Sequence, residues 1–439
     1  MELSQEQLFT YEKWREGHNI FITGPGGCGK SHLIKYIYET QLKHTMVCAM
    51  TGCAAVLLDC NASTLHSWSG IRLGKESPES LLERIKKKAH VKKRWTKIEC
   101  LIVDEVSMLS KSMLETLDYL GRNLRKCQYK PFGGIQIVFS GDFYQLPPVN
   151  ETEFCFESPL WNKLFANDCQ IEFQTIFRQK DTQFQKILNQ IRKGSIDKAG
   201  VDFLQKYMNR KIETNVEPTK LYPIRYKVDK MNEIMFGNLK QKEVEFPIIE
   251  RKNMNLYIEN NKDIPLDVIR KCRRLSEKQI EYEIQNLTSN NQLTPISLKK
   301  GTFVMCTKNL NVEEGICNGS QGKVIDFEYG KPVIQFLNGV EMQIPLQYYQ
   351  SDEFPTIAVA QFPLIYAWAT TIHKIQGSTL DCAEIDIGNN IFTPGQSYVA
   401  LSRLKSFDGL FLKNFSKQNI CAHPRVIEFY KNLKNNSHQ

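Results

Sequence analysis

The segment Gly24 to Ser31 reads GPGGCGKS and matches G-x-x-x-x-G-K-[ST]. It lies between a strand candidate, Asn19 to Thr23, and a helix candidate, Lys30 to Thr40. That context is what phosphate binding needs. Gly24, Gly26, Gly27 and Gly29 let backbone N–H groups close around phosphate oxygens, with Cys28 inside the loop. The following helix N-terminus favours negative charge. Lys30 would reach the β- and γ-phosphates of ATP, and Ser31 would ligate Mg²⁺. Further along, Leu101-Ile102-Val103 runs into Asp104 and Glu105. Asp104 would hold Mg²⁺ beside Ser31, and Glu105 would orient and deprotonate the attacking water. Alone, two carboxylates after a strand also fit an exposed strand end; the phosphate loop makes the catalytic reading the stronger. Gln145, in Gly141 to Pro148, is a candidate γ-phosphate sensor. Its alternative is a proline-rich surface turn. Arg178 and Arg403 could stabilise charge spreading over the γ-phosphoryl oxygens. In isolation each is better read as a solvated or ion-paired arginine.

These groups need strands that end together. The apolar runs Met46 to Met50, Cys100 to Val103 and Ile135 to Ser140 alternate with amphipathic stretches such as Lys111 to Cys127. Buried strands alternating with helices imply a parallel α/β sheet. A second such rhythm follows: strand candidates Lys220 to Tyr222, Pro363 to Trp368 and Ala383 to Ile387, with helix candidates Tyr226 to Phe236 and Arg425 to Leu433. Between them, Thr302 to Pro345 has short alternating runs broken by Asn318-Gly319, Tyr329-Gly330 and Asn338-Gly339. Such steps favour hairpins and an inserted antiparallel module. Met254 to Leu293 is polar and carries no clear period.

The chain has 439 residues, enough for about two to four domains. It has no run of 18 apolar residues, so no membrane span is expected. Its N-terminus does not read as a secretory signal or transit peptide. The 13 cysteines form no CxxC pair or zinc-like cluster. They read as small buried hydrophobes in a reducing compartment, be it cytoplasm, nucleus or virus-infected cell. The net charge of +9 is compatible with a polyanionic partner and does not by itself establish one.

Longer segments carry a resemblance. TGCAAVLL (Thr51 to Leu58) with STLHSW (Ser63 to Trp68), DEVSML (Asp104 to Leu109) and PFGGIQIVFSGDFYQLPPV (Pro131 to Val149) occur in that order. AWATTIHKIQGSTLD (Ala367 to Asp381) and GQSYVALSRLKSFDGL (Gly395 to Leu410) follow. VMCTKNL and ICNGSQGKV fall within Val304 to Val324. This set resembles the Pif (petite integration frequency) helicases of superfamily 1B, relatives of the RecD-type helicases. Cys28 departs from the family's more usual small hydroxyl or alanine. The chain looks like a compact motor core, without the long N-terminal extension of many eukaryotic members.

The resemblance implies an ATP-dependent DNA helicase travelling 5′-to-3′ on single-stranded DNA and opening forked or tailed duplexes. Whether it prefers G-quadruplexes or RNA–DNA hybrids stays open, and a monomeric motor is expected. The alternative is a phosphate-loop ATPase that remodels or packages nucleic acid without strand separation. Gln7 would contact adenine, Gly377 would lie near the nucleotide, and Arg178 and Arg403 become γ-phosphate arginines. Thr51, Thr64 and His66, then Thr371, His373 and Lys374, would face the DNA backbone. Phe143 or Tyr144 would stack a base. The expected fold is α/β, with two RecA-like domains at 1–210 and at 211–245 with 362–439. A wedge insertion is expected at about 71–96, rich in lysine and arginine. An insertion at 246–361 is expected to hold a Src-homology-3-like barrel.

Overall fold

The computed structural model describes residues 3–436 except 59, 72–75, 150, 180, 209, 211–217, 253–269, 271, 292, 312, 352–353 and 389. The chain forms two compact units, Met1–Asp229 with Ala369–Gln439, and Lys230–Trp368.

The first unit holds two parallel sheets. One is built from β1 (Ile20–Thr23), β2 (Thr45–Ala49), β3 (Ser63–Thr64), β4 (Cys100–Asp104), β5 (Gln136–Ser140) and β6 (Gln170–Glu172), in the order β3-β2-β4-β5-β1-β6. Every residue of β1, β4 and β5 is buried. Their β-branched, aromatic and aliphatic side chains therefore serve a sheet covered on both faces. Parallel pairing brings the ends of all these strands to one edge, where Thr23, Asp104 and Ser140 hand over to loops. In open α/β sheets this edge is where ligands bind.

The helix Lys111–Leu124 shows how a cover is specified. Ser110 caps it by accepting from the Met113 N–H, and Leu114, Leu117, Leu120 and Leu124 are buried at helical spacing. The basic stretch after β3 forms two short helices, Pro78–Lys86 and Ala89–Lys97. Their apolar faces, Leu81, Leu82, Ile85, Val91 and Trp95, enter the same core, while Lys86, Lys87, Lys92 and Lys93 stay exposed. Trp95 packs on Trp68 at 4.8 Å, and its indole N–H donates to the Ser69 carbonyl at 3.0 Å.

The second parallel sheet has the order Ala369–Thr371, Thr219–Tyr222, Ala383–Ile387, Leu410–Phe415. The strand expected over Pro363 to Trp368 does not join it. Leu364–Tyr366 pairs antiparallel with Phe303–Cys306 in the second unit, and the adjacent Ala369–Thr371 takes the parallel position. The last helix, Pro424–Asn436, follows the second sheet in sequence but buries Val426, Tyr430 and Leu433 in the core of the first.

The second unit is antiparallel. Its five-stranded sheet runs Glu341–Gln343, Lys331–Phe336, Gln321–Glu328, Phe303–Cys306, Leu364–Tyr366. Glu328 pairs with Lys331 across Tyr329-Gly330, whose φ angles of +50° and +73° suit a tight primed turn. The helix Glu277–Asn290 falls in the stretch whose sequence carried no clear period. Among the described residues, no helix is long and apolar enough to cross a membrane. Most described cysteines are buried, and all are free thiols.

Candidate nucleotide site

The loop after β1 turns on glycines. Gly27 has φ +86°, and a Cβ there would meet Arg178 Cβ at 2.4 Å. Gly29 has φ +84° and starts the helix Lys30–Glu39; a Cβ there would meet Gln7 Nε2 at 2.5 Å. Only glycine satisfies both the torsion and the close approach. Lys30 Nζ donates to the Gly24 carbonyl at 2.8 Å and the Pro25 carbonyl at 3.2 Å.

Asp104 ends β4 fully packed. Its carboxylate accepts from Ser140 Oγ at 2.7 Å, the Glu105 N–H at 2.9 Å and Ser31 Oγ at 3.4 Å. Glu105 sits in the left-handed region, φ +57° and ψ +40°, a costly conformation for any residue that carries a Cβ. That turn swings its carboxylate into the cavity. Burial pushes both carboxyls above the usual carboxylate range; for Glu105 the charge of Asp104 adds to the rise, while Arg403 and Lys30 oppose it.

Residues from the second sheet close the site. Gln376 is buried, and its amide N–H group lies 3.0 Å from Glu105 Oε2 and 3.3 Å from Gln145 Oε1. Arg403 is buried and donates to the Val399 carbonyl at 3.0 Å and to Ser402 Oγ at 2.8 Å. Arg178 donates to the Ser402 carbonyl at 3.3 Å. Burial and then the Arg403 charge push Arg178 down to about 10. Tyr398 accepts from the Gly26 N–H at 2.8 Å. A cavity of about 340 Å³ results, lined by the phosphate loop from Gly26 to His32, with Asp104, Glu105, Gln145, Phe177, Arg178, Gly377 and Arg403. The size suits a nucleotide. Ser31 Oγ and an Asp104 carboxylate oxygen, side by side, form the hard oxygen pair that Mg²⁺ takes from a protein when phosphates complete its shell.

Gln7 is not among the residues lining this cavity. Its Oε1 accepts from the Ser4 N–H at 2.9 Å and its Nε2 donates to the Gly29 carbonyl at 3.0 Å, so its amide braces the loop. Phe177, exposed by 53%, lies over Gly29 and offers a ring to a base. Sequence reasoning missed Phe177, Ser140, Tyr398 and the role of Gln376. The signal available was their place within one to five residues of Arg178, Gln145, Arg403 and Gly377.

The candidate DNA-facing residues sit at strand ends. Thr51 Oγ1 accepts from the Ala54 N–H, Thr64 Oγ1 from the Ser67 N–H and Thr371 Oγ1 from the Lys374 N–H. Each hydroxyl keeps its own proton to donate. His66 and His373 are partly buried, and burial lowers the pKa of both. Lys374 is exposed.

Phe143 requires a correction. It is 2% exposed and packed among Phe21, Phe154, Phe156, Trp161 and Phe429, with ring centroids 4.8–6.3 Å away. The ring is core and has no face for a base. Tyr144 is likewise occupied, stacked on Tyr430 at 4.6 Å with Arg192 at 4.8 Å. Aromatic residues beside a motif looked available in sequence because the covering helix, Pro424–Asn436, lies nearly 300 residues away.

The sequence and the fold also match known proteins. The family model described as PIF1-like helicase matches residues 2–201, and the one described as DNA helicase Pif1, 2B domain, matches residues 285–327. The ATP-dependent DNA helicase PIF1 of Xenopus laevis is 35% identical over 99% of this chain. The chain spans 65% of that protein's length, and 64% and 61% of the Danio rerio and Emericella nidulans counterparts. The crystal structure of Pif1 helicase from Candida albicans is similar over the whole of both chains, with 33% identity and a TM-score of 0.73. The structure of Pif1 helicase from Bacteroides in complex with ADP-AlF3 and single-stranded DNA covers 99% of this chain and 98% of its own, with 27% identity and a TM-score of 0.68.

Proposed function

The chain belongs to the PIF1-like helicase family, and from that premise we propose that it is an ATP-driven DNA helicase moving along single-stranded DNA. The observation that carries the reading is the cavity in which Lys30, Asp104 and Glu105 from the first sheet meet Gly377 and Arg403 from the second. A nucleotide bound there would tie two separately built sheets together, and its hydrolysis would release them.

Each parallel sheet is read as a RecA-like domain, at about 1–210 and at 211–245 with 362–439. The 246–361 segment is read as the insertion carrying a Src-homology-3-like barrel, supported by its antiparallel strands and the 2B-domain match. Residues 71–96 are read as the wedge.

Glu105 takes a proton from the water that attacks the γ-phosphorus. The bond to the bridging oxygen breaks, leaving ADP and phosphate. Lys30, Arg178 and Arg403 stabilise the spreading negative charge, and Gln145 senses the γ-phosphate. Ser31 and Asp104 would hold Mg²⁺, which would supply neutralisation of the phosphate oxygens. Adenine lies against Phe177, packed at Gly29, while Gln7 braces that loop through the Gly29 carbonyl. Single-stranded DNA is gripped by Thr51, Thr64 and His66 and by Thr371, His373 and Lys374, and forked or tailed duplexes supply it. Phosphate contacts of this kind do not read sequence. The Bacteroides relative, solved with ADP-AlF3 and single-stranded DNA, supports both ligands.

The test joins ATP turnover, with and without single-stranded DNA, to strand separation on 5′-tailed and 3′-tailed duplexes. DNA-stimulated turnover with release from the 5′-tailed substrate is expected, and Lys30→Ala should abolish both. Stimulated turnover without strand release on either substrate would favour a remodelling or packaging ATPase. Normal turnover in Lys30→Ala would refute the site.

A further inference from the structure

Gln376 occupies an unusual position. It is 1% exposed, yet its Oε1 has no hydrogen-bond partner. Its Nε2 serves two acceptors at once, Glu105 Oε2 at 3.0 Å and Gln145 Oε1 at 3.3 Å. Buried amides are normally satisfied at both ends, because an unpaired buried acceptor is costly. An orphan carbonyl on a side chain bonded to a carboxylate that lines the nucleotide cavity is therefore a group arranged for something other than stability.

Its backbone setting adds the second observation. Gln376 sits in a run of tight turns after the strand Ala369–Thr371. The Lys374 N–H donates to the Thr371 carbonyl at 3.1 Å, and the Gln376 N–H to the His373 carbonyl at 3.3 Å. One short turn thus carries Thr371, His373 and Lys374 at its start and Gln376 and Gly377 at its end. Gly377 has φ +87°, and a Cβ there would meet Leu57 Cδ1 at 2.9 Å, so the turn is closely fitted against the first sheet's helix Gly52–Leu57. A shift at its start has little room to be absorbed before it reaches Gln376.

We propose that Gln376 is a positioning residue that holds the carboxylate of Glu105 and the amide of Gln145, and that DNA on the Thr371–Lys374 turn moves it and so frees the base for water. The proposal rests on the helicase reading above. While the amide N–H group points at Glu105 Oε2, it occupies one of the lone-pair directions through which the carboxylate must accept a proton. When the turn shifts, Glu105 regains that direction, and the orphan Oε1 can accept from the same water that Glu105 deprotonates. Asp104, Lys30 and Arg403 also face Glu105, and none of them lies on this turn.

The experiment measures kcat and KM for ATP, with and without saturating single-stranded DNA, in wild type, Gln376→Leu and Gln376→Glu. Gln376→Leu removes the donor and the orphan acceptor at similar volume. DNA-free kcat should rise by about tenfold, the order expected from losing one charge-assisted hydrogen bond. DNA-saturated kcat should fall, so the stimulation ratio collapses while KM for ATP and DNA affinity hold. Gln376→Glu, which keeps an acceptor but has no N–H to donate, should likewise raise DNA-free kcat while retaining more of the DNA-saturated rate than Gln376→Leu. A structural role would lower both rates together and leave the ratio unchanged, which would overturn the proposal. If wild type itself lacks DNA-stimulated turnover, the helicase reading fails first, and that outcome is separate from an unchanged ratio in Gln376→Leu.

Discussion

At the scale of single residues, the site trades stability for chemistry. Asp104 and Glu105 are adjacent, buried carboxyls, both held above the usual carboxylate range, chiefly by burial. A raised folded-state pKa means that the folded protein binds protons more tightly than the unfolded chain. Stability is then fully present below the unfolded carboxylate value and lost as pH rises through the folded value. Glu105→Gln removes this liability, and the new amide can still accept from Gln376. The variant should therefore melt above wild type at neutral pH, and the gap should close as pH falls into the carboxylate range. It should still bind ATP and DNA, while turnover drops by about 10²–10⁴-fold through loss of the base. Calorimetry across pH checks the first part and steady-state turnover the second; a variant that hydrolyses normally would remove Glu105 from catalysis. Lys30, Ser31, Asp104, Glu105 and Gln145 were legible in sequence as cavity residues because each stands at a fixed offset from a strand end or glycine loop, whereas Arg178 and Arg403 were singled out through the family resemblance. Gln376 was legible as a neighbour of Gly377 and not as a partner of Glu105, because that hydrogen bond joins residues 271 positions apart.

Among the elements, long buried strands were easy to read and short or borrowed ones were not. Cys100–Asp104 and Gln136–Ser140 are continuous apolar runs, and they lie where hydrophobic pattern puts them. Gln170–Glu172 has three residues, all only partly buried, and shows no such pattern, although it closes the sheet beside β1 and leads to Arg178. The terminal helix is the clearest case. Its amphipathic face predicts burial without saying against what. In the fold, Tyr430 joins Asp142, Tyr144 and Arg192 behind the phosphate loop. Its hydroxyl lies 2.5 Å from Thr23 Oγ1 and 3.3 Å from Asp142 Oδ1, and accepts from the Phe143 N–H at 3.2 Å. Arg192 closes the cluster with a buried pair to Asp142 at 2.8 Å. Tyr430→Phe keeps the stacking on Tyr144 but strips these bonds and leaves the buried Phe143 N–H without that acceptor. The cost should be about 1–3 kcal/mol. A lowered melting midpoint with a raised KM for ATP is expected, since Thr23 leads directly into the phosphate loop. Unchanged melting and an unchanged KM would show that the helix merely covers the sheet.

For the molecule as a whole, charge decides what composition left open. All the nucleotide groups lie in one unit, as do the candidate DNA-facing residues Thr51, Thr64, His66, Thr371, His373 and Lys374, and the other unit is inserted in sequence between Thr219–Tyr222 and its parallel partner Ala369–Thr371. The net charge of +9 includes a dense group, Lys86, Lys87, Lys88, Lys92, Lys93 and Arg94, on two helices and the link between them, the helices' opposite faces being fixed in the core. Lys86 pairs with Glu83 at 2.7 Å, and Arg94 approaches the Ser67 carbonyl at 3.5 Å, beside His66. Exposed ion pairs contribute little to stability, so neutralising all six should leave melting nearly unchanged. ATP turnover without DNA should also hold, because none of the six lines the nucleotide cavity. DNA binding by wild type should weaken linearly in log–log form as salt rises, with little preference among unstructured sequences, since released counterions drive it. If the group grips the fork, the neutralised variant should bind forks more weakly, and its salt slope should flatten by about 0.7–0.9 for each DNA phosphate the variant no longer neutralises. Fluorescence anisotropy on forked and single-stranded substrates at several salt concentrations reads both quantities. Equal affinity, slope and unwinding in the two proteins would mean that the six charges form only a solvated face, and the DNA path would then have to be sought at Thr64, His66 and the turn from Thr371 to Lys374 alone.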